Sequence, residues 1–120
     1  MIQTLFQVAV GGAVGASARY LTNVAATRAF GPVFPYATLI VNVLGSFLMG
    51  VLVVVLAQRF DNRFAPLLMT GVLGGFTTFS AFSLELVGLA QRGAIGSAAL
   101  YAAASLAGGV LGLLAGLAIT

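Results

Sequence analysis

The sequence contains no cysteine, no histidine and no tryptophan, and arginine supplies all five of its basic residues. Without cysteine or histidine, the chain cannot form disulfides, thiolate metal sites or imidazole proton shuttles. Charged residues make up only 6% of the chain, against about 25% in soluble domains. Hydrophobic residues account for 61%, and the mean hydropathy is +1.15. The sequence therefore predicts a membrane protein, because it has too few polar residues to cover a soluble surface.

The basic isoelectric point, about 10.2, does not indicate a nucleic-acid partner. The arginines are scattered singly along the chain, whereas nucleic-acid-binding proteins gather basic residues into a patch or stripe. The sequence also offers no nucleophile–base pair and no cluster of metal-ligating side chains. We therefore do not expect an enzyme.

Four apolar segments divide the chain, at about 2–26, 36–58, 66–90 and 94–119. Each holds about 23–26 residues, enough to cross a ~30 Å hydrocarbon core at a rise of 1.5 Å per residue. We predict an all-α membrane protein that forms one domain over residues 1–120, with four transmembrane helices in the lipid bilayer.

A glycine-rich stretch interrupts the third segment, which reads TGVLGGFTTFSAFSLE at this point. Gly71, Gly74 and Gly75 each cost a helix roughly 1 kcal/mol relative to alanine. We therefore predict that the third helix is broken near mid-membrane and resumes around Thr77, whose hydroxyl can cap the new N-terminus. Carbonyl groups freed at such a break are natural ligands for a cation.

Polar side chains inside the apolar segments are candidates for a functional site, because burying them in lipid is costly. Asn42 is the strongest candidate, since its amide lies near the middle of the second helix. The hydroxyl-bearing residues fit a pore and an ordinary interhelical hydrogen bond equally well, and two phenylalanines fit a pore or simple packing. In chain order these further candidates are Thr38, Phe79, Ser80, Phe82, Ser83, Tyr101 and Ser105.

Two charged residues stand apart from these candidates. Arg19 lies inside the first helix, where it fits either snorkelling to the interface or the attraction of anions into a vestibule. Glu85 lies beyond the predicted break, toward the far end of the third helix. We expect no carboxylate near the membrane midplane, which argues against a proton-coupled pump.

The arginines give almost no orientation signal under the positive-inside rule. Arg59 and Arg63 fall on the side of the chain termini, and Arg28 and Arg92 fall on the opposite side. A chain without a preferred orientation can insert both ways and pair head to tail; a fixed topology with a weak signal is the alternative. Small residues at four-residue spacing would support such pairing or simply pack helices: Gly11 with Gly15, Ser46 with Gly50, and Gly108 with Gly112 and Gly116.

At these residues the sequence resembles the bacterial fluoride channel family, Fluc, also called CrcB. The resemblance covers nearly the whole chain: GGAVGASARY in the first helix, NVLGSF in the second, GVLGGFTTFSAFS in the third, and Tyr101 with Ser105 in the fourth. The motif in the third helix is highly specific. One departure is Ala81, which stands where the family's TTFSTF pattern has a threonine, so this chain lacks a hydroxyl there.

The resemblance implies an antiparallel, dual-topology homodimer in the bacterial inner membrane, with two pores that export fluoride passively and protect the cell from its toxicity. It also implies a structural sodium ion at the dimer centre, held by the backbone carbonyls of Gly74 and Thr77 and not transported. Phe79 and Phe82 match phenylalanines that line the pore. The groups matched to the fluoride path are Asn42, Ser80, Ser83, Thr38, Tyr101 and Ser105, and those matched to its vestibule are Arg19 and Glu85.

A small multidrug-resistance transporter is the main alternative, because it shares the chain length, helix number and dual topology. Such exporters depend on an acidic residue in the first helix, where this chain has Arg19 and no aspartate or glutamate. A membrane assembly factor without transport activity is a second alternative. Fluoride efflux from liposomes, measured together with exchange of organic cations for protons, would separate the three.

Overall fold

The computed structural model describes residues 1–59 and 62–119, and it describes Arg59, one of the arginines counted for orientation, by its backbone alone. Within these ranges the chain is helical apart from short connections and contains no strand. The helices are α1 (Ile2–Phe30), α2 (Tyr36–Arg59), α3 (Gly74–Phe76), α4 (Phe79–Gln91) and α5 (Ile95–Ala118); a 3₁₀ turn at Asn62–Phe64 and a π-helical segment at Pro66–Leu73 precede α3.

The four predicted helical passes are all present, and the third consists of the π-helical segment, α3 and α4. α1 continues to Phe30, past its predicted end at residue 26. Residues 27–30 include no glycine or proline that would end the helix. The helix ends before Gly31, which takes a positive φ of 81°, and Pro32. The connection to α2 is therefore short.

Three stretches of the described chain are long and apolar enough to cross a membrane: Tyr36–Gln58, Asn62–Gln91 and Ile95–Ala118. α1 has the required length but is not among them. Its glutamines, glycines and Arg19 dilute its apolar residues. The packing of α1, rather than its hydropathy, ties it to the apolar stretches.

α1 lies parallel to the π-helical segment and α3, in close backbone contact. A methyl group added to Gly71 would lie 2.9 Å from Cα of Gly11, and one added to Gly75 would lie 2.7 Å from the Gly12 carbonyl oxygen. Residue numbers increase in the same direction along both partners, which establishes the parallel arrangement. Gly71 and Gly75 therefore serve close packing, as small residues do between membrane helices.

α2 and α5 form a second parallel pair, also with extensive contacts. A methyl group on Gly112 would lie 3.1 Å from the Val43 carbonyl oxygen, and one on Gly116 would collide with the Phe47 carbonyl. The glycine ridge of α5 is thus occupied by α2 of the same chain. Of the two uses that the spacing left open, this contact is the packing of helices within one chain.

The first pass is parallel to the third and the second to the fourth, so successive passes alternate in direction. This arrangement brings the middle of the third pass against both α1 and α2. Arg19 on α1 and Asn42 on α2 each hydrogen-bond to its backbone. The candidate site lies there.

Candidate functional site

The third pass is broken at Thr77 and Thr78, which both have extended backbone conformations (φ −88°, ψ 158° and φ −154°, ψ 123°). The prediction of a break was correct, but its assignment to the glycines was wrong. Gly71 lies in the π-helical segment, while Gly74 and Gly75 lie in α3. Gly71 and Gly75 are close to the α1 backbone, and this contact outweighs their low helix propensity.

The Asn42 side chain anchors the break. Its Nδ2 donates to the Thr78 carbonyl oxygen at 3.0 Å, and its Oδ1 accepts from the Thr78 amide at 2.8 Å. One carboxamide therefore satisfies both backbone polar groups of an extended residue. The amide nitrogen carries a second hydrogen that is available to another acceptor.

Thr78, not Thr77, caps the helix that resumes. The Thr78 Oγ1 accepts from the Ala81 amide at 3.2 Å, and α4 begins at Phe79. Thr77 still belongs to the preceding turn, because its amide and its hydroxyl both donate to the Leu73 carbonyl, at 3.0 and 2.9 Å. The predicted Thr77 cap was therefore wrong by one residue.

Several backbone carbonyls lose their usual helical donors at the break, those of Gly74 and Thr77 among them. In an unbroken helix the Gly74 carbonyl would accept from the Thr78 amide, which donates to Asn42 instead. The Thr77 carbonyl would accept from the Ala81 amide, which donates instead to the Thr78 hydroxyl. Gly74 is also exposed on the surface of the single chain. These are the two carbonyls that the family resemblance assigns to a cation.

Arg19 holds the carbonyl that follows Gly74. Its Nε donates to the Gly75 oxygen at 3.1 Å, across 56 positions of sequence. Since a guanidinium has five N–H donors, the remaining ones are not committed by this bond. Arg19 is half-buried, so it fastens α1 to the end of α3 and adds positive charge beside the break.

Aromatic rings and a carboxylate continue from the break toward α5. The Phe79 and Phe82 ring centroids lie 5.7 Å apart, and Phe82 lies 5.1 Å from Tyr101. The Tyr101 hydroxyl donates to Oε1 of Glu85 at 3.0 Å. Tyr101 is fully buried, whereas the Phe79 side chain is 78% exposed. The two predicted phenylalanines therefore do meet, and only one of them is packed inside the chain.

The serines of α4 differ in what they bond. The Ser83 hydroxyl donates to the Phe79 carbonyl of its own helix at 3.0 Å. The Ser80 Oγ lies 3.3 Å from the Thr78 Oγ1 and is exposed. Ser80 is therefore the more accessible of the two hydroxyls at the start of α4.

Cavities lie on both sides of Asn42 and Thr78. A groove of about 440 Å³ runs between α2 and α5 and is lined by Asn42, Thr78 and Ser105 among others. The Ser105 hydroxyl oxygen is buried without a hydrogen-bond partner within the described chain. A cavity of about 160 Å³, lined by Arg19, Thr38, Thr78 and Glu85, lies toward α1. Glu85 also borders a cavity of about 410 Å³ beside the connection between α1 and α2.

The structure places Arg19, Asn42 and Phe79 at the helix break, while Tyr101 and Glu85 lie further along, toward the connection between α1 and α2. Sequence reasoning missed two residues that shape the break. Thr78 was indistinguishable from its neighbour Thr77. Gly45 lies where a methyl group would collide with the Thr77 side chain, so a glycine there lets the break approach α2. Its place three residues after Asn42 was the available signal.

Known proteins are similar to this chain over nearly its whole length, which includes the motifs around the break. The family model described as "CrcB-like protein, Camphor Resistance (CrcB)" matches residues 6–117. A "Fluoride-specific ion channel FluC" from Cereibacter sphaeroides is 65% identical over 118 residues, which cover 98% of this chain and 94% of the relative. Proteins of the same name from a Ruegeria species and Agrobacterium fabrum are 55% and 51% identical, over 99% and 93% of this chain and 88% and 91% of the relatives. The chain therefore belongs to the CrcB family, a family of ion channels rather than enzymes.

Proposed function

We propose that this chain forms a fluoride-selective ion channel through which fluoride leaves the cytoplasm passively. The observation that carries the proposal is the close, full-length similarity to relatives named fluoride-specific ion channels. The hydrogen bonds of Asn42 to Thr78 support it, because they hold a helix break open among groups that can donate to an anion.

Fluoride is small and strongly hydrated, so a pore must replace its water with donors. The site offers an amide N–H from Asn42, hydroxyl groups, and the ring edges of Phe79 and Phe82, which are positively polarised. The paired rings differ in burial, so Phe79 is the one free to contact an ion or another subunit. The chemistry of these donors suits a bare halide better than a bulky organic cation.

We assign the anion path to the polar groups on both sides of the break. Ser83 must release its bond to the Phe79 carbonyl before it can donate to an anion, whereas Ser80 is already exposed. Arg19 and Glu85 border the cavity toward α1 and form the vestibule. The path residues are Thr38, Asn42, Phe79, Ser80, Phe82, Ser83, Tyr101 and Ser105.

A second copy of the chain, inserted in the opposite orientation, completes the channel as an antiparallel homodimer. The single chain leaves Thr70, Gly74 and Ser80 exposed around the break, and lipid offers such groups no hydrogen-bond partners. An inverted partner would cover them and create two equivalent pores. The near balance of arginines on the two sides supports this dual topology.

The residues at the break also fit a structural sodium ion at the dimer centre. The carbonyls of Gly74 and Thr77 are hard oxygen donors that have lost their helical amides, and Gly74 faces the surface that the partner would cover. Two carbonyls from each subunit would hold the ion, which stays bound. Its charge would offset the cost of removing water from a nearby anion.

Passive conduction is sufficient for export from a bacterial cytoplasmic membrane. A potential that is negative inside drives an anion outward by about 2.3 kcal/mol per 100 mV. The channel would thereby protect the cell against fluoride toxicity without an energy source other than this potential.

The direct test is fluoride efflux from liposomes that contain the purified protein, followed with a fluoride electrode. We expect rapid fluoride efflux and no comparable chloride efflux. Efflux no faster than from protein-free liposomes would overturn the proposal. Exchange of organic cations for protons would then indicate a multidrug transporter, and no transport of either kind would indicate an assembly factor.

A further inference from the structure

We infer that the Ser46 hydroxyl is a further donor on the anion path, one helical turn beyond Asn42. The inference rests on the proposed fluoride conduction and adds a residue to it. Ser46 lines the 440 Å³ groove together with Asn42 and Ser105.

The parallel packing of α2 and α5 sets these residues in a ladder. Side chains four residues apart lie on the same face of a helix. Because α2 and α5 run in the same direction, successive positions at this spacing on α2 lie beside successive positions on α5. Glu85, which accepts from the Tyr101 hydroxyl, lines the same cavity as Thr38. Asn42 and Ser105 line one groove, and a methyl group on Gly109 would lie 3.7 Å from Oγ of Ser46. The three successive levels are Thr38 with Tyr101, Asn42 with Ser105, and Ser46 with Gly109.

At the third level only α2 carries a donor. Gly109 leaves open space beside the Ser46 hydroxyl, and the residues that line the groove one turn further, Met49 and Leu113, are apolar. An anion that leaves Asn42 and Ser105 would lose its donors at this level if Ser46 were apolar. Ser46 therefore supplies a hydrogen-bond donor between the break and the apolar end of the groove.

The test compares fluoride efflux from liposomes for the intact protein and for Ser46→Ala. Since hydrogen bonds to charged groups are stronger than neutral ones, we expect a roughly five- to tenfold loss of flux. Ser17→Ala is the matched control, because the Ser17 hydroxyl donates to the Ala13 carbonyl on an exposed face of α1; its flux should equal that of the intact protein. Gly109→Val keeps the Ser46 hydroxyl but fills the space beside it, and should lower flux in the same way.

A hydroxyl placed on α5 instead of α2 distinguishes a role of Ser46 in the anion path from a role in helix packing. In the double variant Ser46→Ala with Gly109→Ser, the hydroxyl projects from α5 into the same level, and we expect most of the lost flux to return. Undiminished flux in folded Ser46→Ala or Gly109→Val, or no recovery in the double variant, overturns the inference. Absence of flux in the intact protein would instead overturn the proposed function.

Discussion

A single carboxamide satisfies both backbone polar groups of Thr78, which makes Asn42 hard to replace. Aspartate lacks the donor and leucine lacks both groups. Without Asn42, the amide and carbonyl of an extended residue in the interior of a membrane helix would lose their partners. Asn42 thus shapes the break, and in the proposed channel its remaining N–H would also be a donor to the anion.

Asn42→Ala should lower both stability and flux. Leaving the buried backbone groups of Thr78 unpaired costs about 1–3 kcal/mol each, so we expect a lower Tm in detergent and at least a tenfold (about 1.4 kcal/mol) loss of fluoride efflux. Asn62→Ala, in the exposed 3₁₀ turn, is the control and should match the intact protein. An Asn42→Ala protein with unchanged Tm would show that the break does not depend on this side chain.

Phe79→Ile should lower fluoride flux with little change in stability, because the ring is 78% exposed in the single chain and its proposed role is its polarised edge. Thermal unfolding and efflux are measured on the same preparation, with Phe6→Ile as the control; Phe6 is 71% exposed on α1. Phe82→Ile should affect both quantities, since Phe82 also packs on Tyr101. Equal flux in Phe79→Ile and the intact protein would make that ring a packing residue.

Residue type alone singled out Asn42, because a carboxamide inside an apolar span has few structural uses, but it left Phe79 and Phe82 open between a pore and simple packing. It did not distinguish Thr78 from Thr77. The two are adjacent and identical in side chain, and only Asn42, 36 positions away in sequence, determines which of them is held in the extended conformation. Which threonine is extended therefore depends on a tertiary contact and cannot be recognised from the neighbouring sequence.

At the scale of the helices, glycine has two meanings that composition does not separate. A glycine in a membrane helix marks a break or a close contact; the glycines of the third pass predicted a break, whereas the α5 ridge fitted either helix packing or pairing between subunits. In the structure Gly75 and Gly116 both face the backbone of a parallel helix in the same chain. Three of the four passes are apolar enough to be identified by hydropathy, whereas the place of α1 and the pairing of the passes depend on tertiary packing.

Gly15→Ala tests the contact between α1 and the third pass. Its methyl group would collide with the Val72 carbonyl, and overpacking of this kind typically costs about 1–3 kcal/mol. We expect a lower Tm for this variant. Gly12→Ala is the matched control three residues earlier, where an added methyl group meets nothing within 4 Å; its Tm should be equal or slightly higher. Equal Tm values for the two variants would contradict the parallel packing.

At the scale of the whole molecule, the proposed dimer accounts for polar groups that the single chain leaves exposed. Gly74 and Ser80 are exposed at the level where the polar groups gather, and no residue of the described chain covers them. A second copy would cover them and supply the same groups by symmetry. The arginine count predicted only the absence of a preferred orientation, since it carries no information on which surfaces meet.

Sodium should stabilise the assembled protein specifically. An ion that binds only the folded dimer raises stability by RT ln(1 + [L]/Kd), so Tm should increase with NaCl concentration. N-methylglucamine chloride at the same ionic strength is the control and should have no comparable effect. The same increase in both salts would assign the effect to ionic strength and remove the support for a sodium site.

The most direct test of passive, fluoride-selective conduction is the reversal potential of the reconstituted protein in a planar bilayer. With a tenfold gradient of fluoride and balancing chloride, a fluoride-selective channel should reverse close to the fluoride equilibrium potential, about 59 mV in magnitude, and a pH gradient should not move it. A reversal potential near that of chloride, or one that follows the proton gradient, would contradict the account.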